Sequence, residues 1–370
     1  MTAPALPPGR RVIVAAFGES PDDAIEHQVS IEPMPPPALG APDDVVVAVK
    51  SASVGWVDLL MSSGQYQHMA SPPYTPGLEY AGVVAHKGPA ATARFEIGDE
   101  VLVDPLLAGP RSLGAYQRAG GWASYAVVPS EALLRVPRGM SLDAACNLLG
   151  NYETAYHCLV ARGRVRPGET VLIHGASGAT GLAAVEIAKL LGARVLATGR
   201  SPEKLAHVRA HGADHVLCTR EEDGGVASLR DRVKALTDGR GVDVVYDGVG
   251  GEISAESLRC TAFGARYLIV GWAATPLVAR GRGQRGAPQA NTLPTNLIMM
   301  KGLDVLGCPT AISTAHDPSL RPPRLAQVLA WADEGKLSPH VSRTFPLDEI
   351  KAAMWAKWRG EITGGAVVHP

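Results

Sequence analysis

Residues 170–191 restrict what this chain can fold into more than any other segment. A short run of β-branched and aliphatic residues at 170–174 leads into Gly175, Ala176, Ser177, Gly178, Ala179, Thr180 and Gly181. A helical pattern follows, with Leu182, Val185, Ala188 and Leu191 on one face. Glycines let the backbone turn sharply and come close to a pyrophosphate, whose charge suits the free N–H groups and dipole of a helix N-terminus. A tight strand-to-helix turn alone also produces glycines. Here a further strand-like run at 194–198 completes the β-α-β order that the binding loop requires. These seven loop residues are therefore expected to hold a dinucleotide.

The same alternation continues. Ser201 and Pro202 open another helix, as N-cap and first helical residue. Buried-type strands are expected at 214–218, 242–246, 266–270 and 303–306. Six strands alternating with helices predict an α/β fold with a doubly wound parallel sheet. The first third reads differently. Extended segments at 11–17, 25–32, 44–50, 79–86, 100–103 and 122–128 are separated by Pro35, Pro36, Pro37, Gly40 and Pro42 and by later turns, a pattern of barrels and sandwiches. Two helices at 322–334 and 347–358 and a strand at 364–368 are expected to return to that first domain. The predicted division is thus 1–146 and 310–370 against 147–309. Residues 275–291, with Arg280, Arg282 and Arg285, read as a surface loop carrying solvated charges.

The end of the 194–198 strand selects the nucleotide. A carboxylate there would hold the ribose hydroxyls of NAD, but Gly199 occupies the place. Arg200 and Lys204 can pair with a 2′-phosphate and Ser201 can hydrogen-bond to it. Two cations at a helix start oppose its dipole, so a phosphate partner accounts for them better than solvent does. NADPH is the expected cofactor. Nucleic acid is a poor partner for a chain with 35 basic and 36 acidic residues. The five cysteines are widely spaced and read as reduced thiols of a cytoplasmic protein. No apolar run approaches the ~18 residues of a membrane span, and residues 1–11 lack a signal peptide's apolar core.

Blocks along most of the chain resemble the zinc-independent quinone oxidoreductase branch of the medium-chain dehydrogenases/reductases. They include Val54 to Asp58, Gly64 to Tyr66, Pro76 to Glu79, Gly98 to Val101, Gly121 to Tyr125, the glycine loop, Asp243 to Asp247 with Val249, Gly250 and Gly251, and Asn296 to Ile298. The resemblance implies a GroES-like β-barrel substrate domain interrupted by an inserted Rossmann domain, with the active site in the cleft between them. It also implies hydride transfer from NADPH to a quinone or a conjugated enone, and a homodimer. Thr154, Asp247, Val249, Gly250, Gly271 and Asn296 match positions near the cofactor.

In the zinc-holding relatives Cys, His and Cys bind the catalytic metal. The matching positions here are Gly55, Leu78 and Gly150, none able to donate to zinc. His68, His86, His157 and His174 lack partners at ligand spacing, so no metal is expected. Without a Lewis acid, an already activated acceptor such as a quinone or enone suits the site better than a simple alcohol or ketone. Tyr66 matches a tyrosine lining the site and is read either as a donor to the substrate oxygen or as a cap on the cleft. Asp58 is read as a catalytic-site residue that orients its loop. Gly55 departs from the Asn common in the family, and Gly365 from a common Lys. An enoyl-thioester reductase and a non-catalytic NADPH-binding sensor or structural protein stand as alternatives.

Overall fold

Short β-branched segments between Pro and Gly dominate the first third, and they pair as antiparallel strands. The computed structural model describes residues 6–66, 69–220, 225, 228–274 and 292–370. The expected loop at 275–291 and His68 lie outside them. β1 (Gly9–Val14) pairs with β2 (Val29–Met34). β3 (Asp44–Ser53) is the hub of a larger sheet. Along one edge it meets β4 (Tyr80–Lys87), which continues to β5 (Glu100–Val103). The other edge takes β6 (Tyr125–Pro129) at Asp44 to Ala48, while β7 (Leu133–Arg135) pairs with β5.

One expected strand begins late. Residues 24–28 form a π-helical turn instead of extended chain, and β2 starts only at Val29. Pro21 and the Ser20 hydroxyl, which accepts from Asp23 N, start a helical turn just upstream, and burial of Ala24 and Ile25 keeps it wound.

The second half has runs buried on both faces, which is what a parallel sheet covered by helices requires. β8 (Thr170–Ile173), β9 (Arg194–Gly199), β10 (His215–Cys218), β11 (Val242–Asp247), β12 (Thr261–Ile269) and β13 (Asp304–Gly307) form an all-parallel sheet in the order β10-β9-β8-β11-β12-β13. The order reverses between β8 and β11, the place where open sheets of this kind bind ligands at their carboxyl ends. β14 (Val341–Pro346) and β15 (Gly365–His369) rejoin the first sheet: β15 pairs with the end of β3 at Ala52 and Ser53, on the edge that β6 leaves open.

The described residues fall into two compact units. One holds the chain up to Gly150 and again from Pro339; the other holds Asn151 to Ser338. This moves residues 310–338 out of the first domain, to which the sequence pattern assigned them. The cause is a buried ion cluster. Arg321 and Arg324, on the helix Arg321–Asp333, both donate to Glu153 at 2.9 Å, and all three are under a tenth exposed. The charged face of this helix is anchored inside the second unit. No helix among the described residues is long and apolar enough to cross a membrane.

Candidate active site

The glycine loop follows β8 as expected. Gly175 adopts φ +63°, a left-handed conformation that favours glycine. A Cβ at Gly181 would collide with the Gly175 carbonyl oxygen and lie 2.7 Å from Ala176 Cα, so this glycine is required by close helix–strand packing. Gly178 is the N-cap of the helix Ala179–Leu190, and no side chain caps that end. Its first N–H groups therefore remain for an anion. Ala176 N donates to Thr198 O at 3.0 Å and ties the loop to β9. Thr180 donates to Asn151 Oδ1 at 2.8 Å, which joins the loop to the helix Leu149–Tyr156, where half-buried Thr154 also lies.

Gly199 ends β9 in a buried position, with Ser177 Oγ 3.9 Å from where its Cβ would be. Arg200 is exposed beside it. Ser201 caps the helix Pro202–Ala210 by accepting from Lys204 N at 3.3 Å, which leaves its O–H free to donate. Gly199, Arg200, Ser201 and Lys204 thus share one strand end and one helix start.

At the end of β11, Asp247 is buried and saturated. One oxygen accepts from Val249 N and Gly250 N at 2.9 Å each; the other accepts from Ser254 Oγ at 2.5 Å and Tyr267 OH at 2.6 Å. These donors and the neighbouring His174 hold it below the usual carboxylate range, although burial pushes the other way. Its carboxylate shapes the 248–251 turn. Gly271 packs its backbone on Gly248, where a Cβ would sit 3.3 Å from the carbonyl oxygen. Asn296 lies exposed on the helix Thr295–Lys301, and no contact places it with these strand ends.

His174 closes β8 from inside. Ser257 donates to Ile253 O, so it accepts from His174 Nε2–H at 2.5 Å, and Thr198 Oγ1 donates to Nδ1 at 2.7 Å. Burial lowers its pKa, and the ring is a neutral brace between β8, β9 and the helix Glu252–Cys260. His157 is also buried; desolvation, with Arg324 and Arg162 nearby, pushes it down to about 4.

In the first unit, Asp58 lies in the first turn of the helix Trp56–Ser62, 2% exposed. It accepts from Gly55 N at 2.9 Å and from Gly77 N and Leu78 N at 3.1 Å each. Burial raises its pKa to about 6, against the pull of those N–H groups and Arg111. Next in chain, Glu79 accepts from Gly150 N, and a Cβ at Gly150 would fall 2.7 Å from the Glu79 carboxylate. Two carboxylates therefore link Gly55, Leu78 and Gly150, the three positions singled out from sequence. Gly55 has φ −92° and ψ 159°, an ordinary extended backbone. Trp56 stacks on Trp358 with ring centroids 5.2 Å apart. Tyr66 is half-buried after the left-handed Gly64 turn, three residues beyond the Ser63 C-cap. A side chain at Gly365 would collide with Asn147, which explains why the common Lys has no place there.

These two sets of residues match known proteins. The alcohol dehydrogenase GroES-like domain family matches residues 41–138, and the zinc-binding dehydrogenase family matches residues 179–317. The quinone oxidoreductase-like protein 2 homolog of Nematostella vectensis is 32% identical over 328 residues, covering 88% of this chain and 81% of that protein. The chain belongs to the medium-chain dehydrogenase/reductase family, in its quinone oxidoreductase branch. Among solved members, the Pseudomonas syringae quinone oxidoreductase superposes with a TM-score of 0.76 at 26% identity, covering 98% of this chain and all of that one. A structure described as an NAD-dependent alcohol dehydrogenase superposes at 0.78 and 28% identity, covering 98% of this chain and 99% of that one. The family's GroES-like and Rossmann-like parts are the two sheets described above.

Sequence reasoning passed over several residues of these sites. Glu79 ends the Pro76 to Glu79 block without a role of its own, and Asn151, Ser254 and Tyr267 carry no local signal. Their partners, Thr180, Gly150 and Asp247, come from other elements, and only Glu79 beside Leu78 could have been suspected from the ligand-position comparison.

Proposed function

We propose that this medium-chain dehydrogenase/reductase is an NADPH-dependent, zinc-independent reductase of quinones or conjugated enones, acting as a cytoplasmic homodimer on a small molecule. The observation that carries the reading is the Gly199–Arg200–Ser201 corner. It offers a guanidinium, a hydroxyl donor and no carboxylate where the nucleotide ribose would be read. The second unit fits the cofactor: the uncapped helix start at Gly178 suits a pyrophosphate, and Gly175 and Gly181 give the close approach.

When bound, NADPH supplies the hydride. The chain's residues do the rest. In an enone, addition at the β-carbon places negative charge on oxygen, and Tyr66 is the proposed donor to that oxygen. Asp58 holds the Gly55, Gly77 and Leu78 backbone in place. Gly55, Leu78 and Gly150 carry no metal-donating side chain, so the reaction falls to an acceptor that needs no Lewis acid. For the homodimer, β13 is an edge strand among the described residues, and exposed Phe263, Met299 and Met300 lie on β12 and the helix packed against it.

The similarity to an NAD-dependent alcohol dehydrogenase favours a second reading, NAD-linked alcohol oxidation. Steady-state assays with NADPH or NADH, across 1,4-naphthoquinone, a simple enone, an enoyl thioester and primary alcohols, with and without a chelator, separate the two. The proposal expects chelator-insensitive NADPH oxidation with the quinone or enone. Chelator-sensitive alcohol oxidation with NAD would replace it, and NADPH binding without any turnover would favour a sensor.

A further inference from the structure

Three successive residues of one helix each tie it to another element of the second unit. In the helix Leu149–Tyr156, Asn151 Oδ1 accepts from Thr180 Oγ1 at 2.8 Å, the Tyr152 hydroxyl donates to Glu186 Oε2 at 2.7 Å, and the Glu153 carboxylate accepts from Arg321 and Arg324 at 2.9 Å. Tyr152 and Glu153 are buried, and Arg324 also donates to Thr314 Oγ1 at 2.8 Å. Thr180 and Glu186 both lie on the helix Ala179–Leu190, which the glycine loop opens. Two of the three bonds therefore fasten that helix, and the third anchors the helix that does the fastening.

The Asn151 bond is the one that acts at the helix start. Thr180 is the second residue of the helix and half-buried. Leu182 N is bonded inward, to Gly178 O at 2.9 Å, and the amides of Ala179, Thr180 and Gly181 precede it, where a helix has no internal acceptor for its N–H groups. A loop of Gly, Ala, Ser and Thr has no bulky side chain to hold those amides in place. Backbone ties it to β9 through Ala176, and the Thr180 side chain ties it to Asn151. A threonine hydroxyl has a single proton. The proton of Thr180 is committed to Asn151, so the hydroxyl has none to give a phosphate, and only lone pairs remain on its oxygen.

We propose that Asn151 is a positioning residue for the pyrophosphate of the cofactor, acting through the Thr180 hydroxyl. The proposal rests on the reading of the second unit as a nicotinamide-dinucleotide site and changes one part of it. Thr180 serves the pyrophosphate with its backbone N–H and with its tie to Asn151, and its hydroxyl makes no bond to phosphate. Asn151 and Thr180 then work as one device, which sets the direction of the first amides of the helix.

Isothermal titration calorimetry on the full chain, with NADPH, NADH and adenosine 2′-monophosphate, tests this. The last of these has no pyrophosphate. Thr180→Val and Asn151→Leu should each weaken NADPH and NADH alike, by about five- to tenfold, the factor that one hydrogen bond carries. Each should leave adenosine 2′-monophosphate within about twofold. The double variant should be no weaker than either single one, because both remove the same bond. Thr180→Ser keeps the hydroxyl and should stay within about twofold of wild type; Asn151→Ala repeats the measurement if the leucine disturbs the helix. A larger loss in Thr180→Val than in the Asn151 variants would put the hydroxyl on the phosphate itself. Additive losses in the double variant, or an equal loss of adenosine 2′-monophosphate, would mean a general loosening of the unit. Each of these overturns the proposal. Unchanged dinucleotide affinity in both single variants overturns it and leaves the NADPH reading standing, whereas a wild type that binds no dinucleotide overturns both.

Discussion

Each unit of this protein keeps one buried aspartate at its candidate site, and the two are held in opposite electrostatic conditions. Asp58 and Asp247 are 2% and 3% exposed, and both bind the backbone N–H groups of a turn. Asp247 adds two hydroxyl donors and a neighbouring histidine, and it is drawn below the ordinary carboxylate value. Asp58 has three backbone N–H groups and a more distant Arg111, and burial wins, raising it to about 6. Similar burial and similar turn geometry therefore give one fixed charge and one group that titrates near neutrality. What differs is the number and type of donors around each carboxylate. The second unit's carboxylate is a permanently charged support for its turn, whereas the first unit's can take up a proton.

Substitution should separate the two most strongly. Asp247→Ala strands two backbone N–H groups, Ser254 and Tyr267 in the interior. It should destabilise the second unit by about 4 kcal/mol or more, given ~1–3 kcal/mol per buried unsatisfied group. Asp58→Ala strands three N–H groups at a site already unfavourable for charge, and about 2–3 kcal/mol is expected. The isosteric pair sharpens this: Asp58→Asn should cost less than Asp247→Asn in urea titrations. Equal costs would show that the two carboxylates are not different in kind.

The pH response should follow with smaller amplitude. Asp58 is raised, so its contribution is fully present below its ordinary value near 3.8 and is lost as pH climbs through about 6. Asp247 is lowered, so its contribution is present above about 3.8 and is lost only as pH falls through its lower folded value. His174 and His157 are lowered too; their contributions are present above about 6.5 and fade as pH falls, for His157 toward about 4. Raising pH from 4.5 to 6.5 should thus weaken protection around Gly55, Gly77 and Leu78 while strengthening it around His174 and Thr198. The change at Asp58 is on the order of 1–3 kcal/mol. Hydrogen exchange, corrected for its intrinsic pH dependence, reads both segments in one experiment, and parallel changes would contradict the contrast.

How much of this was legible in the sequence follows the same division. The glycine loop, the six parallel strands and the Gly199 corner depend on residues close in the chain, so local pattern reached them. The first unit's strands were also visible as alternating runs, but the π-helical turn at 24–28 was not, because its β-branched and apolar residues suit a strand equally well. The 310–338 segment was misassigned because the burial of Arg321 and Arg324 is decided by Glu153, far away in sequence. The same reason hid the Glu79–Gly150 bond and the Ser254 and Tyr267 donors to Asp247.

The central claim is that the second unit reads the 2′-phosphate of NADPH through Arg200. Fluorescence titration of NADPH and NADH against wild type and Arg200→Ala tests it most directly. The account predicts that the NADPH Kd rises about 10- to 100-fold, as for a lost charge-assisted contact of ~1.5–3 kcal/mol, while the NADH Kd changes less than about twofold. Equal weakening of both nucleotides, or tighter binding of NADH than NADPH by the wild type, would contradict it.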